Sequence, residues 1–158
     1  MTRVFVAVGS NLGDREKNIA LSKQALRVTQ GVRFSRTSPI YETDPVGGPP
    51  QGKYLNGVWE CETDLAPEVL LGSLLKIEKT LGRERSRKDA PRTIDLDLLF
   101  YGDCVICEPG LSIPHPRLHE RLFVLKPMAD LEPGWLHPTL KKTIKNLLAE
   151  NLARNPES

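Results

Sequence analysis

From Pro91 to Tyr101 the chain reads Pro-Arg-Thr-Ile-Asp-Leu-Asp-Leu-Leu-Phe-Tyr, and this stretch restricts its fold more than any other. Ile94, Leu96 and Leu98 alternate with Asp95 and Asp97, the period of a half-buried β-strand. Side chains two apart share a face, so the apolar set turns into a core and both carboxylates stand together on the opposite side. Two carboxylates roughly 6 Å apart repel by about 2–3 kcal/mol at an effective dielectric near 20. Placed so, with Arg92 three residues upstream of Asp95, they form a candidate site for a divalent cation. Hard oxygen donors in small number suit Mg²⁺, which completes its shell with water and substrate phosphates. The competing reading is a pair of solvated polar residues on the open face of an antiparallel sheet.

The 158 residues are expected to form one domain, 1–158, with a real hydrophobic core. A chain 39% hydrophobic and 27% charged is not of disordered composition, and a net charge of +2 gives no global pull toward nucleic acid or membrane. Charge is local instead: residues 83–92 hold four arginines and a lysine against two acids. No apolar run is of membrane-spanning length, and the N-terminus starts straight into a strand pattern rather than a signal peptide. The three cysteines, Cys61, Cys104 and Cys107, then point to free thiols in a reducing compartment, and a cytoplasmic location is expected. Cys104-Val-Ile-Cys107 has no second pair to complete a zinc site and reads as hairpin structure.

Arg3 to Val8 is an apolar strand ending in the turn Gly9-Ser10-Asn11-Leu12-Gly13, after which Asp14 caps a helix through about Thr29. Val32, Phe34, Ser38 and Ile40 alternate as a second strand, and Thr43 to Lys53, rich in Pro and Gly, reads as a loop. A third strand covers about Asn56 to Thr63, with Val58 and Glu60 on one face and Trp59 and Cys61 on the other. Pro67 opens a helix carrying Leu70, Leu74, Ile77 and Leu81 at helical spacing, and Gly82 ends it. After the basic loop come the Asp95/Asp97 strand, a turn at Gly102-Asp103, a short hairpin, and a last helix within Thr139 to Leu152. The order β-α-β-β-α-β with a C-terminal extension predicts an α+β, ferredoxin-like antiparallel sheet, with two helices on one face and the other face left for a site.

The chain has no Gly-x4-Gly-Lys-Ser/Thr loop, no kinase signature set, no His-Glu-x-x-His and no Gly-x-Ser-x-Gly. Any triphosphate must therefore be held by metal and arginines. Tyr54 and Asn56, two apart at the entry to a strand, pair an aromatic plane with an amide, which suits a flat nitrogen heterocycle. Phe123, after Arg121, is a candidate second wall, and His115 is fixed between two prolines. Taken singly these have plain readings: core aromatics, a surface histidine, and solvated charges at Glu78, Arg83, Arg85, Arg87 and Lys88.

In order along the chain, these segments resemble the 6-hydroxymethyl-7,8-dihydropterin pyrophosphokinase family of folate biosynthesis. The matching residues are Val8 to Gly13, Tyr41 to Gly47, Tyr54-Leu55-Asn56, Ile77-Glu78 with Gly82-Arg83, Pro91 to Asp97, Ile113 to Pro116, and Arg121 with Phe123. The resemblance implies pyrophosphoryl transfer from ATP to the pterin hydroxymethyl group, with release of AMP. It implies two Mg²⁺ ions on Asp95 and Asp97, and Arg83 and Arg92 neutralising charge during transfer. Tyr54 and Phe123 would stack on the pterin, Asn56 would read its edge, and backbone groups near Thr43 and Val46 would assist. Glu78, Arg85, Arg92, Ser112, His115 and Arg121 would line the ATP pocket, and the loops around 45–53 and 83–90 would close as lids. A monomer acting on small molecules is expected.

Asp89-Ala90 stands where the family commonly has Trp-Gly, and Leu75 replaces a residue that is often polar. These departures imply weaker pterin or nucleotide binding with the chemistry retained. Two rival readings are a ferredoxin-like binding module without catalysis, and a nuclease or nucleotidyl transferase using the same carboxylates.

Overall fold

The computed structural model describes residues 1–44, 52–82 and 93–155. Its elements run β1 (Thr2–Ser10), α1 (Arg15–Arg27), β2 (Val32–Thr37), β3 (Tyr41–Thr43), β4 (Tyr54–Thr63), α2 (Pro67–Thr80), β5 (Asp95–Tyr101), β6 (Ile106–Glu108), β7 (Leu111–Ile113), α3 (Leu122–Leu131) and α4 (Ile144–Arg154). A single 3-10 turn, Leu118–Glu120, precedes α3. The main sheet has the order β2-β4-β1-β5, with β3 added to β4, and every pairing in it is antiparallel. Cys107 lies in β6, which pairs with β7 as a separate hairpin.

β1 is central and is apolar on both faces. Val4, Val6 and Val8 join Trp59, Cys61, Leu96 and Leu98 beneath α1 and α2, which contribute Ile19, Leu26, Leu70, Leu74 and Ile77. Each such fully buried side chain contributes about 1.5–3 kcal/mol of transfer free energy. Asp14 caps α1 by accepting the Lys17 N–H at 3.1 Å, whereas Ala66 before α2 offers no side-chain cap. Gly31 and Gly82 follow these two helices at φ values of 87° and 89°, a conformation that costs glycine little.

Three local expectations are corrected. The second strand does not run on through Ile40; it stops at Thr37 and resumes as β3 over Tyr41–Thr43, residues read as strand end and loop. Pro39 has no N–H for a ladder, and the Ser38 hydroxyl instead takes the Val58 N–H at 2.9 Å. The second face of the sheet is not left open along its length. α3 and α4 cover one half of it, burying Phe5, Val58, Leu99, Phe100, Leu118, Val124, Leu125, Met128, Leu131, Ile144 and Leu147 as a second core. α3 was not expected because Pro127 lies inside it and cannot donate to the Phe123 carbonyl one turn back. The last helix also extends to Arg154, beyond the expected limit at Leu152.

A closed ring of charge fastens the end of α3 to the sheet. Glu60, 5% exposed, accepts from Arg3 Nε at 2.7 Å and from Arg36 Nε at 2.6 Å. Glu132 accepts from the same two guanidinium groups at 2.9 and 3.0 Å. The hydrogen bond from Arg3 holds the Glu132 carboxyl below its ordinary value, so this ring weakens in acid.

His137 adds a second acid-sensitive group. Its ring is buried edge-on to Phe100 at 5.7 Å, and Nδ1 accepts the Leu140 N–H at 3.1 Å. Burial first, and His119 second, lower its pKa from 6.5. A histidine depressed in the folded state stabilises fully above its unfolded value near 6.5, and that contribution fades as pH falls below it. The thermal midpoint is therefore expected to drop between pH 7 and pH 5, and His137→Gln should flatten that drop. Equal slopes in both proteins would remove His137 from the account.

Candidate active site

The register of the sheet builds the site on the half of the second face that α3 and α4 leave open. Tyr41 pairs with Asn56, Asn56 with Gly9, and Gly9 with Asp95, so four strands put one residue each into a single row. In the next row Val58 pairs with Ala7, and Ala7 with Asp97. Neighbouring strands lie about 4.7–4.9 Å apart, so Asn56 and Asp95 face each other across about 10 Å. Between them β1 offers glycine and alanine. The result is a trough with a bare floor, an amide and an aromatic on one bank, and two half-exposed carboxylates on the other.

Asn56, 7% exposed, donates through Nδ2 to the Thr43 hydroxyl at 2.5 Å, which fixes the carboxamide plane. Tyr54, half-buried, stands two residues before it on the same face. Phe123, also half-buried, lies in the first turn of α3, the helix that packs over β4 and β3. The Arg121 guanidinium lies 5.7 Å from the Phe123 ring centre.

The turn after β1 holds these banks in place. Ser10 is fully buried and donates its hydroxyl to the Thr93 carbonyl at 2.5 Å, pinning the entry to β5. Asn11 donates to the Gly52 carbonyl at 3.2 Å, while Arg15 reaches the Lys53 carbonyl at 2.8 Å and Glu42 at 2.9 Å. The Gly9-Ser10-Asn11 segment was legible as a turn, but its part in tying β3, β4 and β5 together was not.

Glu78 overturns its plain sequence reading as a solvated charge. It is 2% exposed in the last turn of α2 and accepts the Leu96 N–H at 2.7 Å. β5 is an edge strand, and this carboxylate satisfies a backbone donor on its outer side.

A bulge in β5 places the histidine. Val6 pairs with Leu98 and Phe5 with Phe100, so Leu99 is the extra residue, and its carbonyl accepts the His115 N–H at 3.0 Å. His115 Nδ1 in turn accepts the Arg117 N–H at 3.3 Å, which assigns the proton to Nε2. Burial first, then Arg121 and Arg117, push its pKa down to about 4 against the opposing pull of Asp95. His115 is thus a neutral Nε2–H donor between the Arg121 cation and the Asp95 carboxylate.

Beside it, at the edge of β5, lies a cavity of about 300 Å³. Leu71, Leu75, Leu96, Leu98 and Leu111 give it an apolar wall, and Asp97, the exposed Ser112 and His115 give it a polar one. That is the make-up of a small-ligand pocket, apolar with a few convergent polar groups. Of the expected site residues, Val46, Arg83, Arg85 and Arg92 lie outside the described residues, as do Asp89 and Ala90.

The donor set was tested against a bound cation. Among the described residues no three or more His, Cys, Asp or Glu side chains gather into a metal cage. Two carboxylates on one face, opening into a trough, suit Mg²⁺ shared with water and substrate phosphates, and do not suit a four-ligand zinc centre.

Residues 5–133 match a family model described as 7,8-dihydro-6-hydroxymethylpterin-pyrophosphokinase (HPPK). The chain is 40% identical over 145 residues to the 2-amino-4-hydroxy-6-hydroxymethyldihydropteridine pyrophosphokinase of Synechocystis, covering 92% of this chain and 74% of that protein. It is 37% identical over 151 residues to the protein of the same name from Aquifex aeolicus, covering 96% and 93%. A solved Plasmodium falciparum HPPK-DHPS with pteroate superposes with a TM-score of 0.77 at 17% identity, over 99% of this chain and 43% of that one. At that identity the likeness shows the fold alone, and this chain spans less than half the length of that protein.

Proposed function

The chain belongs to the 7,8-dihydro-6-hydroxymethylpterin-pyrophosphokinase family, and we infer that it transfers the pyrophosphoryl group of ATP to 6-hydroxymethyl-7,8-dihydropterin in folate synthesis. The observation that carries this reading is the trough itself, in which the Asn56 and Tyr54 bank faces the Asp95 and Asp97 bank across Gly9 and Ala7. A flat heterocycle on the first bank points its substituent across a bare floor at phosphates held on the second. The hydroxymethyl oxygen bonds to the β-phosphorus, the bond from that phosphorus to the α-phosphate oxygen breaks, and AMP leaves as the hydroxyl proton is lost.

Asp95 and Asp97 are assigned to hold two Mg²⁺ ions, which would offset the charge of the triphosphate and stabilise the in-line transition state. Asn56, its plane set by Thr43, reads the pterin edge with help from backbone near Val46, while Tyr54 and Phe123 stack on its two faces. The nucleoside occupies the cavity at the β5 edge, where Ser112 and His115 meet the polar part of the ATP and Arg121 draws in negative charge. Glu78 serves this pocket through β5, by holding the Leu96 N–H. Arg83, Arg85 and Arg92 are assigned to the phosphates, with Arg83 and Arg92 acting in the transfer step.

The sheet order, with β3 set aside as an addition to β4, is read as ferredoxin-like, and residues 1–158 as one pyrophosphokinase domain acting as a monomer. No helix among the described residues is long and apolar enough to cross a membrane, and a cytoplasmic enzyme is proposed.

The test follows AMP release from ATP and Mg²⁺, with and without 6-hydroxymethyl-7,8-dihydropterin. AMP that forms only with the pterin supports the transfer. Folded protein that makes no AMP would place the binding module first, and AMP formed equally without the pterin would favour a different nucleotidyl chemistry.

A further inference from the structure

Building on the pterin slot inferred above, we propose that Tyr41 and Asp130 are a positioning pair whose hydrogen bond fastens the far end of α3 to β3 and sets the width of the slot between Tyr54 and Phe123. The Tyr41 hydroxyl donates to the Asp130 carboxylate at the surface. Tyr41 sits in the site row directly opposite Asn56, and Thr43, on the same face two residues on, receives the Asn56 amide. β3 therefore touches the pterin-reading amide at one end and α3 at the other.

Asp130 and Phe123 are seven residues apart on α3, two turns and about 10 Å along the axis, and within about 20° of the same side. The helix face that carries Phe123 over the trough is thus the one that Tyr41 holds. Pivoting a rigid 10 Å arm by about 6° moves its end by about 1 Å. Displacements of that size are enough to spoil a stacked, positioned substrate.

The fold does not need this bond. α3 already buries Val124, Leu125, Pro127, Met128 and Leu131, and Arg3 and Arg36 clamp the Glu132 that follows it. An exposed tyrosine–carboxylate contact adds little to that anchorage. Its distinct consequence is angular, because it acts on the open side of the sheet while the arginine clamp acts on the covered side.

Three variants separate positioning from mere structure. Tyr41→Phe removes only the donor and Asp130→Ala only the acceptor, while Asp130→Asn keeps an oxygen that can accept. Tyr41→Phe and Asp130→Ala are each expected to raise the KM and Kd for the pterin about tenfold. They should leave kcat within about threefold, the Kd of a non-hydrolysable ATP analogue unchanged and the thermal midpoint within about 2 °C. Asp130→Asn should recover most of the pterin affinity, and the double variant Tyr41→Phe/Asp130→Ala should be no worse than either single one. Pterin affinity unchanged in the single variants would overturn the pair, as would equal losses for pterin, nucleotide and thermal stability. Wild-type protein that fails to bind the pterin would overturn the slot itself and, with it, the pair.

Discussion

Alanine at both Asp95 and Asp97 lowers pterin-dependent AMP release about a thousandfold or more and leaves the protein folded. The rate effect follows from what the two carboxylates do on the open bank. Preorganised charge aimed at a transferring phosphoryl group is worth about 10²–10³ in rate per element removed, and in this site the carboxylates hold all of that charge that Mg²⁺ would bring. The stability effect is small because both side chains are half-exposed and leave the inward-facing Leu96 and Leu98 untouched. Removing two like charges from one strand face also relieves repulsion. The measurement is the initial rate of AMP release across a Mg²⁺ titration, with thermal midpoints recorded beside it. A double variant that keeps more than a tenth of wild-type activity at any Mg²⁺ level would dismiss the two carboxylates as the metal site.

The carboxylate pair was legible in the chain because a strand's period is two, and no packing is needed to see that Asp95 and Asp97 share a face. α2 was equally plain, since Leu70, Leu74 and Ile77 recur at the helical period and all three are buried. The features that escaped depend on partners distant in sequence or on backbone groups. Glu78 looks like one more charge on a helix exit until the outer edge of β5 presents a backbone N–H to it. α3 was hidden by Pro127, which is tolerated because the helix packs its apolar side over β4 and needs only one ladder bond fewer. The bulge at Leu99 cannot be read from Leu-Leu-Phe, yet it supplies the carbonyl that anchors His115 beside the trough. Gly9 is the most instructive case. Its turn function was evident, and its function as the floor of the site emerged only from the register of β1 between β4 and β5.

That floor yields the second large effect. Gly9→Ala is expected to raise the pterin KM about 10- to 100-fold while leaving nucleotide binding alone. An alanine Cβ at this position would lie 3.1 Å from Asn56 Oδ1 and 3.6 Å from Tyr54 Cδ1. The first contact is tight, and Asn56 cannot turn away without stretching its bond to Thr43, so the methyl group acts directly on the amide that reads the pterin. It also raises the floor over which the hydroxymethyl group must pass. Gly9 is not among the glycines of positive φ, so the backbone accepts alanine without strain and the change tests space alone. Lower entropy of the unfolded chain offsets part of the crowding, by about 0.4–1 kcal/mol, and the thermal midpoint should move little. The nucleotide cavity lies on the far side of β5, lined by residues that do not touch Gly9, so ATP affinity serves as the internal control. Gly9→Val should deepen the pterin defect without extending it to ATP. A Gly9→Ala enzyme with wild-type pterin KM would mean that the heterocycle does not bind against Asn56, and the trough would have to be assigned to another ligand.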